Sequence, residues 1–107
     1  MSEFIEYLKE AFREFGPISV RKMFGGHGIF YERLMIGLVA DDMLYLKVDA
    51  HSVPRFEKRG LAQFKYSKGD KVVGMSYYLA PEETLDDPWE MREWAKLAYE
   101  AALRSRK

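Results

Sequence analysis

Residues 18–48 read ISVRKMFGGHGIFYERLMIGLVADDMLYLKV, and the period of this stretch decides the fold class. Ile18 to Phe24 alternates apolar with polar residues, as a half-exposed strand does, because successive strand side chains point to opposite faces. Gly25-Gly26-His27-Gly28 interrupts the pattern, and Ile29-Phe30-Tyr31 resumes it. Glu32-Arg33 is short enough for a tight turn. Leu34 to Ala40 is continuously apolar, as befits a strand at the centre of a sheet. Asp41-Asp42 marks a second turn, and Leu44, Leu46 and Val48 then fall on one face. Strands joined by such short connections pair antiparallel, so the stretch predicts a meander.

The flanks have a different period. Before the meander, Phe4, Tyr7, Leu8, Ala11, Phe12 and Phe15 recur every three or four residues. That spacing predicts one helix with a single buried stripe, capped by Ser2 and ended by Gly16-Pro17. After it, Asp49 to Gly60 predicts a short helix capped by Asp49 or Ser52, with Pro54 in its first turn. Phe64 and Tyr66, then Val73, Met75, Tyr77 and Leu79, alternate around Lys68-Gly69-Asp70-Lys71 and predict a second hairpin. Asp87-Pro88-Trp89-Glu90 is a helix start, and Met91, Trp94, Ala95, Ala98, Ala101 and Ala102 form that helix's buried stripe. Arg104, Arg106 and Lys107 suit the negative end of its dipole. Strands and helices are segregated, which argues for α+β. The expected architecture has two layers: an antiparallel sheet, meander plus hairpin, with the N- and C-terminal helices packed on one face. The other face is left exposed or covered by a second copy.

The 107 residues predict one domain over 1–107, with 48% hydrophobic residues to build its core. Seventeen basic and seventeen acidic residues cancel, which argues against binding nucleic acid through bulk charge. No cysteine is present, so disulfides, zinc-thiolate sites and cysteine nucleophiles are excluded. No apolar run is long enough to span a membrane, and the acidic start Met1-Ser2-Glu3 does not read as a secretory signal. A cytoplasmic location is the expectation.

No catalytic set assembles in the sequence. Gly25-Gly26-His27-Gly28 could cradle a phosphate in a backbone nest. It lacks the third glycine and following helix of a dinucleotide loop, so a structural turn or bulge at Gly25, Gly26 and Gly28 is the stronger reading. His27 and His51 lack metal-ligand spacing to any acid. Ser76 falls mid-strand, with Tyr78 where a nucleophile elbow needs glycine. We therefore expect no enzyme activity, no cofactor and no metal. Charge is unevenly placed: Arg55 to Ala80 is basic, with Lys65, Lys68 and Lys71 at its hairpin, and Pro81 to Glu100 is acidic. The lysines fit three roles: guarding a strand edge, meeting phosphate or nucleic acid, or meeting the acidic helix of a second copy.

The run Arg21-Lys22-Met23-Phe24-Gly25-Gly26-His27-Gly28-Ile29-Phe30 resembles the opening signature of the TfoX (Sxy) N-terminal domain family. Leu44-Tyr45-Leu46-Lys47, Pro54-Arg55-Phe56, Met75-Ser76-Tyr77-Tyr78, Pro81-Glu82-Glu83 and the helix around Trp94 continue it in order, over nearly the whole chain. The resemblance implies a two-layer α+β domain that tends to dimerise and regulates competence, the uptake of DNA by bacteria, alongside the cyclic AMP receptor protein. It implies no catalytic residue or cofactor. Full regulators of the family carry a second, helical domain, so a chain ending at Lys107 is expected to be a single-domain member, either standing alone or separated from that second domain. On this reading Arg21, Lys22, His27 and Tyr78 join Lys65, Lys68 and Lys71 as the candidate interaction surface.

Overall fold

Turn chemistry sets the sheet. In the computed structural model, which describes residues 3–23 and 25–106, strands β1 (Ser19–Met23), β2 (Gly26–Tyr31), β3 (Leu34–Ala40) and β4 (Met43–Lys47) run as an antiparallel meander. Glu32 and Arg33 have φ of 51° and 69°, and Asp41 and Asp42 have φ of 52° and 56°. Positive φ at both central residues is the type I′ pattern, whose twist matches that of paired strands. Strands β5 (Gln63–Lys68) and β6 (Lys71–Leu79) form the second hairpin. Tyr45, Leu46 and Lys47 pair with Leu79, Tyr78 and Tyr77, which gives one six-stranded sheet in the order β1-β2-β3-β4-β6-β5.

Helix α1 (Glu3–Ala11), the short α2 (Val53–Lys58) and the long α3 (Pro88–Ser105) complete the α+β architecture. Asp87 caps α3: its carboxylate accepts from the Trp89 N–H at 2.9 Å, and Pro88 follows in the first turn. The expected stripe of α3 is buried at Met91, Ala95, Ala98, Ala101 and Ala102, while Trp94 packs partly buried against Phe56. The helices share one core with Ile29, Ile36, Val39, Leu44 and Leu46 of the sheet. Each large side chain fully buried there, such as Phe12 or Phe56, contributes about 1.5–3 kcal/mol.

Four local readings change. The stripe of α1 runs through Ile5, Leu8, Ala11 and Phe12, not through Tyr7, which is 46% exposed and donates its hydroxyl to the Leu85 carbonyl. The phenol oxygen keeps Tyr7 at the rim, and Ile5 takes its place in a stripe that otherwise keeps Leu8, Ala11 and Phe12. The glycine run breaks the strands only at Gly25, a turn residue with φ 74° between β1 and β2, whereas Gly26 and Gly28 lie inside β2. A 3₁₀ turn over Glu82–Leu85 precedes α3, with the Thr84 hydroxyl donating to the Pro81 carbonyl at 2.6 Å. Finally, β3 contains a bulge: Ile29 pairs with Gly37 but Phe30 pairs with Met35, leaving Ile36 as an extra residue. The expected cap Ser2, the strand end Phe24 and the terminal Lys107 lie outside the described residues.

Candidate functional site

The face of the sheet turned away from the helices is not flat. Met23 of edge strand β1 and Phe64 of edge strand β5 line the same pocket, a cavity of about 170 Å³. Six flat strands at about 4.8 Å spacing would hold their edges roughly 24 Å apart. The sheet therefore curls toward this face. The bulge at Ile36 and a second irregularity between Gln63 and Lys65 supply bending points.

Strand alternation selects the wall. Because Ile36 is extra, β3 sends Ile36 into the helix-side core while Met35 and Leu38 line the pocket; Val39 belongs to that core and also borders the pocket. Met75 and Tyr77 of β6 close the other side. Tyr77 is 6% exposed, and burial pushes its phenol up to about 12. Glycine permits the tight packing here: a Cβ on Gly28 would stand 3.0 Å from Met23 Sδ and from the Phe30 ring.

The charges around this face are one-sided. The Arg21 guanidinium lies 5.0 Å from the Phe30 ring centroid, and the Lys47 ammonium lies 5.2 Å from that of Tyr77. Lys68 and Lys71 face each other at the tip of the β5–β6 hairpin. None of the six strands contains Asp or Glu. The acids occupy turns and helices instead.

The sequence-selected residues do not converge. Arg21, Lys68 and Lys71 share the curled face by alternation, but Lys22 and Lys65 fall on the opposite face. His27 pairs with Lys22 across the β1–β2 ladder and borders the pocket. Tyr78 is turned to the helix side, 6.1 Å from the Phe56 ring, with its hydroxyl 3.3 Å from Glu57. Partial burial and the Glu57 carboxylate both raise its phenol. Arg59, in the basic stretch, is tied to Glu83 at 2.8 Å. Gly26 is a close-approach position, because a Cβ there would sit 2.1 Å from the Val39 carbonyl oxygen. Asp49 accepts the backbone N–H groups of His51 and Ser52, both at 3.0 Å, and is held by Arg104 at 2.6 Å. Among the described residues no group of His, Asp and Glu is placed to hold a metal ion, and no helix is long and apolar enough to cross a membrane.

The reading of separate motifs missed the pocket methionines and Lys47. The available signal was the alternation through Val73, Met75 and Tyr77, together with the absence of acids from every strand segment.

A model of the TfoX N-terminal domain family matches residues 10–102. Among curated proteins, the DNA transformation protein TfoX1 of Aliivibrio fischeri (strain ATCC 700601 / ES114) is 35% identical over 78 residues. The match covers 69% of this chain and 37% of that relative, so the chain spans little more than a third of its length.

Proposed function

Because the chain belongs to the TfoX N-terminal domain family, we propose that it is a non-enzymatic interaction domain acting in the regulation of bacterial DNA transformation. The observation that carries this reading is the match over residues 10–102, joined to a relative named for DNA transformation. No catalytic constellation among the described residues competes with it. The domain acts in the cytoplasm, alongside a transcription-regulator protein, and contributes a surface and no chemistry. It self-associates through opposite charges: Lys68 and Lys71 at the hairpin tip of one copy meet the acidic segment from Glu82 to Glu90 of another.

A gene deletion tests the regulatory role. Loss of the gene is expected to lower transformation-gene expression and DNA uptake. Wild-type protein should restore both, and Arg21→Glu/Tyr66→Ala, on exposed positions, should not. Unchanged expression and uptake in the deletion strain would refute the role. Sedimentation at micromolar concentration tests association: a species near twice 12.6 kDa is expected, and Lys68→Glu/Lys71→Glu should return it to 12.6 kDa.

A second reading, weak nucleic-acid binding by the Arg55–Lys71 region, is favoured by the like charges of Lys68 and Lys71 placed opposite each other. With two or three phosphates engaged, affinity should fall with salt at a log–log slope of roughly −2 to −3. A titration showing no duplex binding at low salt removes this reading.

A further inference from the structure

Three properties coincide on the curled face. It encloses an apolar volume, it carries cations at the wall of that volume, and its strands contribute no carboxylate. The pocket of about 170 Å³ is close in size to the cavity of about 150 Å³ known to admit a benzene ring. It therefore has room for one aromatic ring or a short acyl chain. Met23, Met35 and Met75 line it, and such unbranched thioethers adapt readily to different apolar shapes. Lys47 stands over the ring of Tyr77, itself a wall of the pocket. Arg21 stands over Phe30, whose ring flanks Gly28 beside Met23. Among the described residues neither Lys47 nor Arg21 forms an ion pair with a carboxylate.

We propose that this pocket binds a small amphiphilic monoanion, an aryl- or short acyl-carboxylate. Its apolar body fills the pocket and its carboxylate lies against Lys47, with Arg21 as the second cation. Charge complementarity selects this occupant. A second copy docked through the same face about a two-fold axis would oppose like charges, Lys47 and Arg21 against their equivalents. Stacked bases need flat, free rings, whereas Phe64 is engaged edge-on with Tyr45 at 5.0 Å and 63°. An uncharged hydrocarbon would fill the volume and leave both cations unused. The site requires no protein partner and goes beyond the interaction role above.

Methionine-methyl NMR tests it on the intact chain. Met23, Met35 and Met75 report the pocket, and Met91, fully buried in the helix-side core, reports folding. The probes are 3-phenylpropionate, 3-phenylpropanol and propionate. Phenylpropionate is expected to shift the three pocket methyls saturably, with a dissociation constant of roughly 0.1–5 mM, and to leave Met91 in place. Phenylpropanol should bind about three- to fivefold more weakly, and propionate should give no saturable shift. Lys47→Gln should abolish the preference for the anion without changing phenylpropanol binding. Met75→Trp should fill the pocket and abolish both. Met35→Phe, closer in volume, is the second filling variant should the first lose its Met91 signal.

Absence of a saturable shift with either aromatic probe would overturn the proposal. So would equal binding of propionate, or an anion preference that survives Lys47→Gln. Pocket shifts that follow protein concentration would assign the face to a second copy. Tighter binding of an oligo-thymidine strand at the same methyls would assign it to nucleic acid. Either result replaces the proposal.

Discussion

Replacing Gly26 by alanine should destabilise the protein far more than the same change at its neighbour Gly25. At Gly26 the added Cβ would stand 2.1 Å from the Val39 carbonyl oxygen, where real contacts are not shorter than 3.0 Å. The obstacle is backbone, so no flexible side chain can yield. Strand β2 must retreat from β3 by close to an ångström, between the Met23–Gly26 and His27–Val39 pairs. One or two ladder hydrogen bonds are then stretched or lost, beside a Val39 that is 3% exposed. At about 0.5–1.5 kcal/mol per bond, plus the cost of leaving buried groups unpaired, the loss is about 2–4 kcal/mol. At Gly25 a Cβ meets nothing within 4 Å, and only φ of 74° is unfavourable, which costs about 1 kcal/mol. Chains of this size carry roughly 5–15 kcal/mol in total. Gly26→Ala should therefore lower Tm by roughly 10–20 °C, and Gly25→Ala by about 5 °C. Circular dichroism melts and urea titrations of both variants decide the matter. If Gly26→Ala is no more destabilising than Gly25→Ala, the close approach of β2 to β3 is refuted.

Three further outcomes follow from local geometry. Glu32→Asn/Arg33→Gly relieves two side chains held at positive φ and should raise stability by about 1 kcal/mol, read as a higher Tm; a lower Tm would contradict the turn assignment. Asp87→Ala removes the cap on the Trp89 N–H and should cost about 1 kcal/mol by urea midpoint, whereas Asp87→Asn should cost only a few tenths. The Arg104 hydrogen bond, reinforced by the Ser52 and His51 backbone donors and opposed by desolvation, holds the Asp49 carboxyl well below the usual carboxylate range. A depressed folded pKa stabilises above the unfolded value near 3.9 and is lost as pH falls through the folded one. The advantage of wild type over Asp49→Asn should therefore be constant from pH 7 to about 5 and shrink below about 4. A gap that widens on acidification would reverse the sign of this reasoning.

The meander was legible because alternation and two-residue turns are local signals, and the cap at Asp87 was legible for the same reason. The bulge was not. In Leu34 to Ala40 every residue is apolar, so an extra one leaves no break in the pattern. Gly26 and Gly28 read as a turn because composition cannot distinguish a glycine that bends the chain from one that lets another backbone approach. That distinction rests on Val39, thirteen positions beyond Gly26. The stripe of α1 was legible at Leu8, Ala11 and Phe12 but took in Tyr7 and missed Ile5, because tyrosine counts as apolar in a periodicity while its hydroxyl draws it to the rim. Lys65, Lys68 and Lys71 stood out through their density along the chain. The pocket gathers Met23, Met35 and Met75 from three separate strands, and only the curl of the sheet brings them together.

Ile36 gives that curl an unexpected author. Its side chain is fully buried on the helix side and does not line the pocket. Deleting it would leave Leu34 and Met35 on their present faces, since the residue is surplus to the ladder. The inside-out pattern of β3 would survive, yet the strand would straighten and the two sheet edges would part. The shape of one surface thus depends in part on a residue packed against the other, alongside the irregularity between Gln63 and Lys65. Substitutions in the helix-side core that relax the bend at Ile36 would change what the far face can hold, without altering a single atom that faces it.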